Sequence, residues 1–176
     1  MRSTGDTLTL MKQLIVIAHN LRSAHNVGSL LRTAEGLGAK VILSGYTPYP
    51  IVTDDDRLPH LALKITKQIT KTALGAELQP IWRRAADVTI VISQLKSDGY
   101  TVSALEQTPT AAPLPDYQMP DKLAIILGRE VEGIESDVVA LCDGALVIPM
   151  YGRKESFNVV QAAAMAMYHW RFQLNH

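Results

Sequence analysis

Four short aliphatic runs constrain this fold most: residues 14–18 (L-I-V-I-A), 41–43, 123–127 and 145–148. Each is too short for a helix, and none alternates with polar residues as a half-solvated strand does. They read as strands covered on both faces, the signature of a parallel sheet between helical layers. The segments between them supply the helices. Val27, Leu30, Leu31, Ala34 and Leu37 fall at helical spacing, with Gly38 as the stop. Residues 61–74 carry a weaker helical pattern that breaks at Gly75. Asp87 suits an N-cap for a helix whose apolar face is Val88, Val91, Ile92 and Leu95, ended by Gly99.

Residues 100–106 alternate well enough for a further strand, and residues 136–141 for a short helix. A last helix at about 157–172 is rich in alanine and methionine. Residues 46–59 and the four-proline stretch 108–120 read as irregular connections. Strand and helix thus alternate along the chain, which predicts an α/β fold with a mainly parallel sheet flanked by helices. No internal repeat or linker divides the 176 residues, so one domain is expected, with its core at about 14–172 and residues 1–12 as an extension.

Composition narrows the function classes. Hydrophobic residues make up 47% and charged residues 19%, as in ordinary globular proteins. No apolar run approaches the roughly 18 residues of a membrane span. Residues 1–12 lack the apolar core of a signal peptide, and a cytoplasmic location is the expectation. The single cysteine, Cys142, excludes an internal disulfide and reads as an apolar filler. With a net charge of zero, nothing global advertises nucleic-acid binding, although a local basic patch can still provide it.

The chemistry concentrates in two tracts. From Gly128 to Asn158 run G-R-E-V-E-G, a strand ending I-P-M-Y-G, and R-K-E-S-F-N before the final helix. Two glycine-bearing loops after hydrophobic strands can present backbone groups to one flat polar ligand. Gly128 and Gly133 permit close approach, and Gly152 permits a sharp turn after Pro149. These loops hold few side chains that break bonds, so the reactive group is expected from the second tract, N-V-G-S-L-L-R-T-A at 26–34. There is no G-x-x-x-x-G-K-S/T phosphate loop, no G-x-G-x-x-G after the first strand and no G-x-S-x-G elbow. The five histidines lack metal-ligand spacing, and Asp54-Asp55-Asp56 reads as a solvated run, so no metal is expected.

Three blocks resemble the SpoU (TrmH-like) RNA 2′-O-ribose methyltransferases of the SPOUT class: N-L-R-S-A-H-N-V-G-S-L-L-R-T-A-E-G-L-G (20–38), L-G-R-E-V-E-G-I (127–134) and I-P-M-Y-G-R-K-E-S-F-N-V (148–159). They occur in the family's order, within a resemblance running from about residue 14 to 170. The resemblance implies a C-terminal trefoil knot, a bent S-adenosylmethionine, a homodimer and an RNA substrate. It also implies catalytic roles for Arg32, Asn26, Glu130, Ser156 and Asn158. The cofactor would meet Leu105, Leu127, Gly128, Gly133, Ile148, Met150, Ser156, Phe157 and Asn158. Phe157 stands where the family commonly has leucine.

Arginine is a poor general base, because its guanidinium stays protonated throughout the working pH range. The reading favoured for Arg32 is therefore to hold an RNA phosphate and stabilise charge developing on the 2′-oxygen. Asn26 could equally cap its helix, Ser156 and Asn158 could cap the last one, and Glu130 could orient an arginine or close the cofactor loop. Glu132 and Glu135 read as solvated. Arg22, Arg32, Arg129, Arg153 and Lys154, with Lys12, could form an RNA-facing basic surface. The segment K-T-A-L-G-A-E (71–77) is similar to a subgroup resembling the large eukaryotic D-loop tRNA guanosine methyltransferases, which favours tRNA over ribosomal RNA. A catalytically silent binding module of the same fold and an unrelated α/β enzyme acting on a nucleotide-like molecule are the competing readings.

Overall fold

The computed structural model describes residues 12–173, so the expectation for residues 1–11 lies outside them. Seven strands form one wholly parallel sheet: β1 (Gln13–His19), β2 (Lys40–Ser44), β3 (Trp82–Ala85), β4 (Thr101–Leu105), β5 (Ala112–Pro113), β6 (Lys122–Leu127) and β7 (Gly144–Val147). Their order is β3-β2-β1-β6-β4-β7-β5. The four aliphatic runs are all strands, and β1, β6 and β4 lie at the centre.

Five helices cover the sheet: α1 (Ala24–Leu37), α2 (Pro59–Ala73), α3 (Val88–Ser97), α4 (Ser136–Ala140) and α5 (Val159–Phe172). Period-two side-chain alternation divides the core. Leu14, Val16 and Ala18 of β1 and Leu123, Ile125 and Leu127 of β6 pack with α1, α2 and α5. Ile15, Ile17, Ala124 and Ile126 face α3 and α4. Each fully buried Leu or Ile contributes roughly 1.5–3 kcal/mol relative to exposure, so these doubly covered strands anchor the fold.

Two elements depart from the sequence expectation. β3 (W-R-R-A) pairs with β2 at one edge of the sheet, where its arginines stay exposed. The proline-rich stretch is not wholly irregular or superficial. Ala112 and Pro113 pair with β7 at the other edge, where a residue without an amide donor is tolerated. Leu114 and Met119 beyond them are buried.

Capping sets where the signature helix begins. Ser23 is the N-cap of α1, its side chain accepting from the Asn26 amide, so α1 starts three residues before the expected position and Asn26 does not cap it. Asn158 caps α5 by accepting from the Val160 amide, which places the start at Val159 rather than Phe157. Gly38 closes α1 with φ +67°, as expected.

The K-T-A-L-G-A-E segment has a structural task. Thr72 Oγ1 donates to the His25 carbonyl of α1 at 2.9 Å. Gly75 turns the chain with φ +98°, and its amide donates to Glu77 at 2.9 Å. The helices touch closely at Gly28, where a Cβ would stand 2.2 Å from the Ile69 carbonyl oxygen. The last turn of α2 and the turn that follows it thus hold α2 against the signature helix.

Candidate functional site

The adjacent parallel strands β6, β4 and β7 share a carboxyl end, where open α/β folds place their ligands. A cleft of about 290 Å³ opens there. Its lining includes Leu105, Leu127, Gly128, Gly133, Ile148, Ser156 and Phe157 of the expected cofactor set. Met150 and Asn158 are not on the lining. Glu106, Gln107 and Ala162, which lie outside the signature blocks, are on it, as is Val159 at the end of the third block.

The loop after β6 is a tight hairpin, with Arg129 and Gly133 exchanging both backbone hydrogen bonds at 3.1 Å. Both glycines serve the loop's own closure. A Cβ on Gly128 would fall 2.4 Å from the Gly133 carbonyl carbon, and Gly133 has φ +72°. Glu106, at the end of β4, accepts from the amides of Ile134 and Gln107 at 2.9 Å each, tying the hairpin to the neighbouring strand. Gly152 is different. Its φ is not positive and a Cβ there meets open space, so the turn after Pro149 does not require glycine.

Hydrogen bonds join the three signature blocks. Glu130 accepts from Asn26 Nδ2 at 3.0 Å and from the amides of Arg22 and Ser23 at 3.2 Å. Asn158 Nδ2 approaches Asn26 Oδ1 at 3.5 Å. The Glu130 partners are therefore an asparagine and free amides at the start of α1, where a carboxylate is stabilised by the helix dipole, and not a neighbouring arginine. Burial pushes the Glu130 carboxyl up, but its own amide, Asn26, Arg22 and Ser23 together hold it below its ordinary value.

That depression has a consequence for stability. A carboxyl with a lowered folded-state pKa stabilises the fold above its ordinary range and loses that contribution as pH falls through it. Glu130→Gln is expected to lower the melting temperature from pH 7 down to about pH 4.3, with the deficit shrinking only below that, as pH falls through the lowered folded-state value. Calorimetry from pH 7 to below that value checks this; a deficit of constant size over the whole span would refute it.

A second network lies behind the hairpin. Glu135, expected in solvent, accepts from Asn20 Nδ2 at 3.0 Å and pairs with Arg129 Nη2 at 3.0 Å. His19, buried at the end of β1, contacts Ser44 Oγ at 2.9 Å through Nδ1 and Asn20 Nδ2 at 3.0 Å through Nε2. The network assigns Nδ1–H as donor and Nε2 as acceptor. Desolvation lowers the His19 pKa despite the opposing pull of Glu135, so the ring is neutral and its 3.5 Å approach to Glu135 is not a charged pair. With both nitrogens engaged, His19 is a brace and not a free base.

The basic residues separate into two kinds. Arg22 is paired with Glu132 and Arg129 with Glu135. Glu132 is exposed but paired. Arg153 and Lys154 are exposed, with no carboxylate within 4.0 Å among the described residues. Lys12 donates to the Gln173 carbonyl at 3.2 Å. Arg32 is exposed on α1 and does not line the cleft; it borders a shallow groove with Ser29, Thr33, Gly36 and Thr72. Cys142 is half-buried, its thiol pushed up to about 11 by burial. Among the described residues, no cluster of three or more His, Cys, Asp or Glu could hold a metal, and no helix is long and apolar enough to cross a membrane.

The model of the SpoU rRNA Methylase family matches residues 13–168. This chain belongs to that family. The SpoU-family chain is 38% identical over 157 residues to the tRNA (guanosine(18)-2'-O)-methyltransferase of Borreliella burgdorferi, covering 88% of this chain and 64% of that protein. It is 28% identical over 163 residues to the tRNA (guanosine(18)-2'-O)-methyltransferase TARBP1 of Mus musculus, covering 93% of this chain but 10% of the mouse protein. The chain thus spans less than two thirds of these curated relatives. Among solved structures, the SpoU methyltransferase AviRb of Streptomyces viridochromogenes, in complex with the cofactor AdoMet, superposes with a TM-score of 0.76 at 20% identity, over 92% of this chain and 58% of that one. At that identity the likeness establishes a shared fold.

Proposed function

We propose that this chain transfers a methyl group from S-adenosylmethionine to a ribose 2′-hydroxyl in structured RNA, with tRNA favoured over ribosomal RNA. The observation that carries the reading is the Glu130–Asn26–Asn158 chain of contacts, with Asn26 in the middle, which gathers all three signature blocks beside one cleft. The cleft suits the cofactor. Leu105, Leu127, Ile148 and Phe157 offer apolar walls for an adenine, and the hairpin and β7 loops offer main-chain groups for its polar edge. Bound there, S-adenosylmethionine supplies an electrophilic methyl group.

The protein's own task is to place and activate the oxygen. Glu130 is ionised with its pKa held down, which makes it a weak base, and His19 is fully engaged. Stabilising charge on the 2′-oxygen therefore falls to Arg32, with Ser156 and Asn158 at the cleft edge to orient the ribose. Arg32 stands outside its own cleft, which supports a homodimer in which a partner subunit delivers it. Exposed apolar surface supports the same reading: Val131 (87%) and Tyr151 (99%) on the loops around the cleft, and the Tyr168–Phe172 ring pair on α5. Arg153 and Lys154 would meet phosphates. The position of β6 between β1 and the earlier-laid β4, with the chain returning to α5 against α1, supports a trefoil knot within one domain. The tRNA preference rests on the names of the relatives and on segment 71–77, and a cytoplasmic location follows from the substrate.

Incubation with labelled S-adenosylmethionine and, in separate reactions, total tRNA or ribosomal RNA, followed by nuclease digestion, is expected to yield a labelled 2′-O-methyl nucleoside from tRNA. Label confined to a base, or to ribosomal RNA alone, would correct the acceptor; cofactor binding without transfer to any RNA would favour the silent module. Asn158→Ala is expected to weaken cofactor affinity about tenfold, by loosening the start of α5 and the link to Asn26. Calorimetric titration returning the wild-type affinity would remove Asn158 from the site.

A further inference from the structure

We infer that the outward face of α2 is a second RNA-binding surface, a basic ridge that tracks the phosphate backbone outside the cleft. This rests on the RNA-methyltransferase reading and extends it to residues that no signature block contains.

α2 carries Lys64, Lys67 and Lys71, preceded by His60, at positions i, i+4, i+7 and i+11 when counted from His60. That spacing sets all four along one helix face, about 16 Å long at 1.5 Å per residue. All four are exposed. The opposite face holds the buried Ala62, Ile69 and Ala73, two of which flank the Gly28 contact with α1, so the ridge points directly away from the body of the protein.

The charge pattern is one-sided. Residues 57–76 contain no aspartate or glutamate, whereas the chain's share of 17 in 176 would place about two there. Among the described residues, none of the three lysines has a carboxylate within 4.0 Å. A helix surface that serves solubility alone normally mixes signs and gains from i,i+4 acid–base pairs. The helix dipole accounts for Lys71 in the last turn but not for Lys64 and Lys67 in the middle. A single-sign stripe on an otherwise neutral chain is a local field, and its complement is a polyanion.

Position links the ridge to the reaction. Lys71 directly precedes Thr72, which shares a surface groove with Arg32. RNA lying along α2 would pass the arginine proposed to steady the reacting ribose. Structured RNA is the occupant we commit to, because regularly spaced lysines match a continuous phosphate path.

The test compares wild type with the triple variant K64Q/K67Q/K71Q, using fluorescently labelled tRNA in anisotropy titrations over a series of KCl concentrations. Each phosphate that the variant no longer neutralises should flatten the dependence of log Kd on log salt by about 0.7–0.9, so the slope should fall by about two. Kd near 0.1 M salt should rise at least about tenfold. KM for tRNA should rise in parallel, with kcat at saturating tRNA and cofactor affinity unchanged. An unchanged salt slope overturns the ridge. So does a changed sedimentation mass with unaltered tRNA binding, which would assign the face to a protein contact. Binding is read without turnover, so an inactive wild type that still binds tRNA with the steeper slope would sink the methyltransferase reading and leave the ridge standing. A wild type that binds no tRNA sinks both.

Discussion

Arg32→Ala is expected to lower methyl transfer about a thousandfold while leaving S-adenosylmethionine affinity within about twofold of wild type, as for removal of one donor to a developing oxyanion. The separation follows from position. Arg32 is exposed on α1 and touches none of the cleft-lining residues by hydrogen bond or ion pair, so cutting it back leaves the cofactor walls intact. Its folding role is equally slight, because the buried face of α1 is made by Val27, Leu30, Leu31 and Ala34.

The same position yields a sharper result with mixed subunits. Arg32→Ala protomers keep their cleft, and protomers disabled in the cleft keep their arginine. If Arg32 acts across a two-fold interface, a random 1:1 mixture of the two inactive variants should regain about a quarter of wild-type activity, since half the dimers are mixed and each has one complete site. If Arg32 serves its own cleft after a local rearrangement, the mixture stays inactive. Loss of cofactor binding in Arg32→Ala would contradict both arrangements and place the arginine in the cofactor pocket.

The sheet was readable because β1, β2 and β6, buried on both faces, leave almost no polar positions to confuse the pattern, and β7, though only partly buried, is aliphatic throughout. The edge strands do not. β3 carries two exposed arginines and β5 contains Pro113, and both form only because a neighbour's backbone is already in place. The start of α1 was displaced for a related reason. Ala24 and His25 add little to the apolar period, so Asn26 looked like the boundary while Ser23 held it.

Within the site, loops that follow strands and carry glycine were legible as a cradle from local order alone. Glu106 and Glu135 were not, because their partners lie elsewhere in the chain: Ile134 is 28 residues from Glu106, and Asn20 is 115 from Glu135. Sequence spacing carries helical and strand periods, but it carries no trace of a hydrogen bond between distant loops. The lysines of α2 were visible as residues but not as a ridge, since only the burial of Ala62, Ile69 and Ala73 on the opposite face fixes which way they point.

Two glycines of the signature tract should part company under the same substitution. Gly152→Ala is expected to be neutral in stability and in cofactor affinity, because its Cβ enters open space and its φ is accessible to any residue. Gly128→Ala should be severe. Its Cβ would stand 2.4 Å from the Gly133 carbonyl carbon, 2.5 Å from the Ile134 nitrogen and 2.6 Å from the Gly133 oxygen, all backbone atoms. No side chain can rotate to relieve that overlap, so the hairpin itself must move. Its position is fixed from both sides, by the Ile134 amide on Glu106 and by the paired amides and carbonyls of Arg129 and Gly133. Forcing such a contact costs about 1–3 kcal/mol or more. Displacement of the hairpin would also pull Glu130 from the start of α1, where Asn26 and two backbone amides depend on it. The expected readout is a cofactor affinity lowered about five- to hundredfold, in step with that cost, together with a melting temperature lower by several degrees. Wild-type affinity in Gly128→Ala would mean that the hairpin closes by another route and that the cleft does not depend on its tight turn.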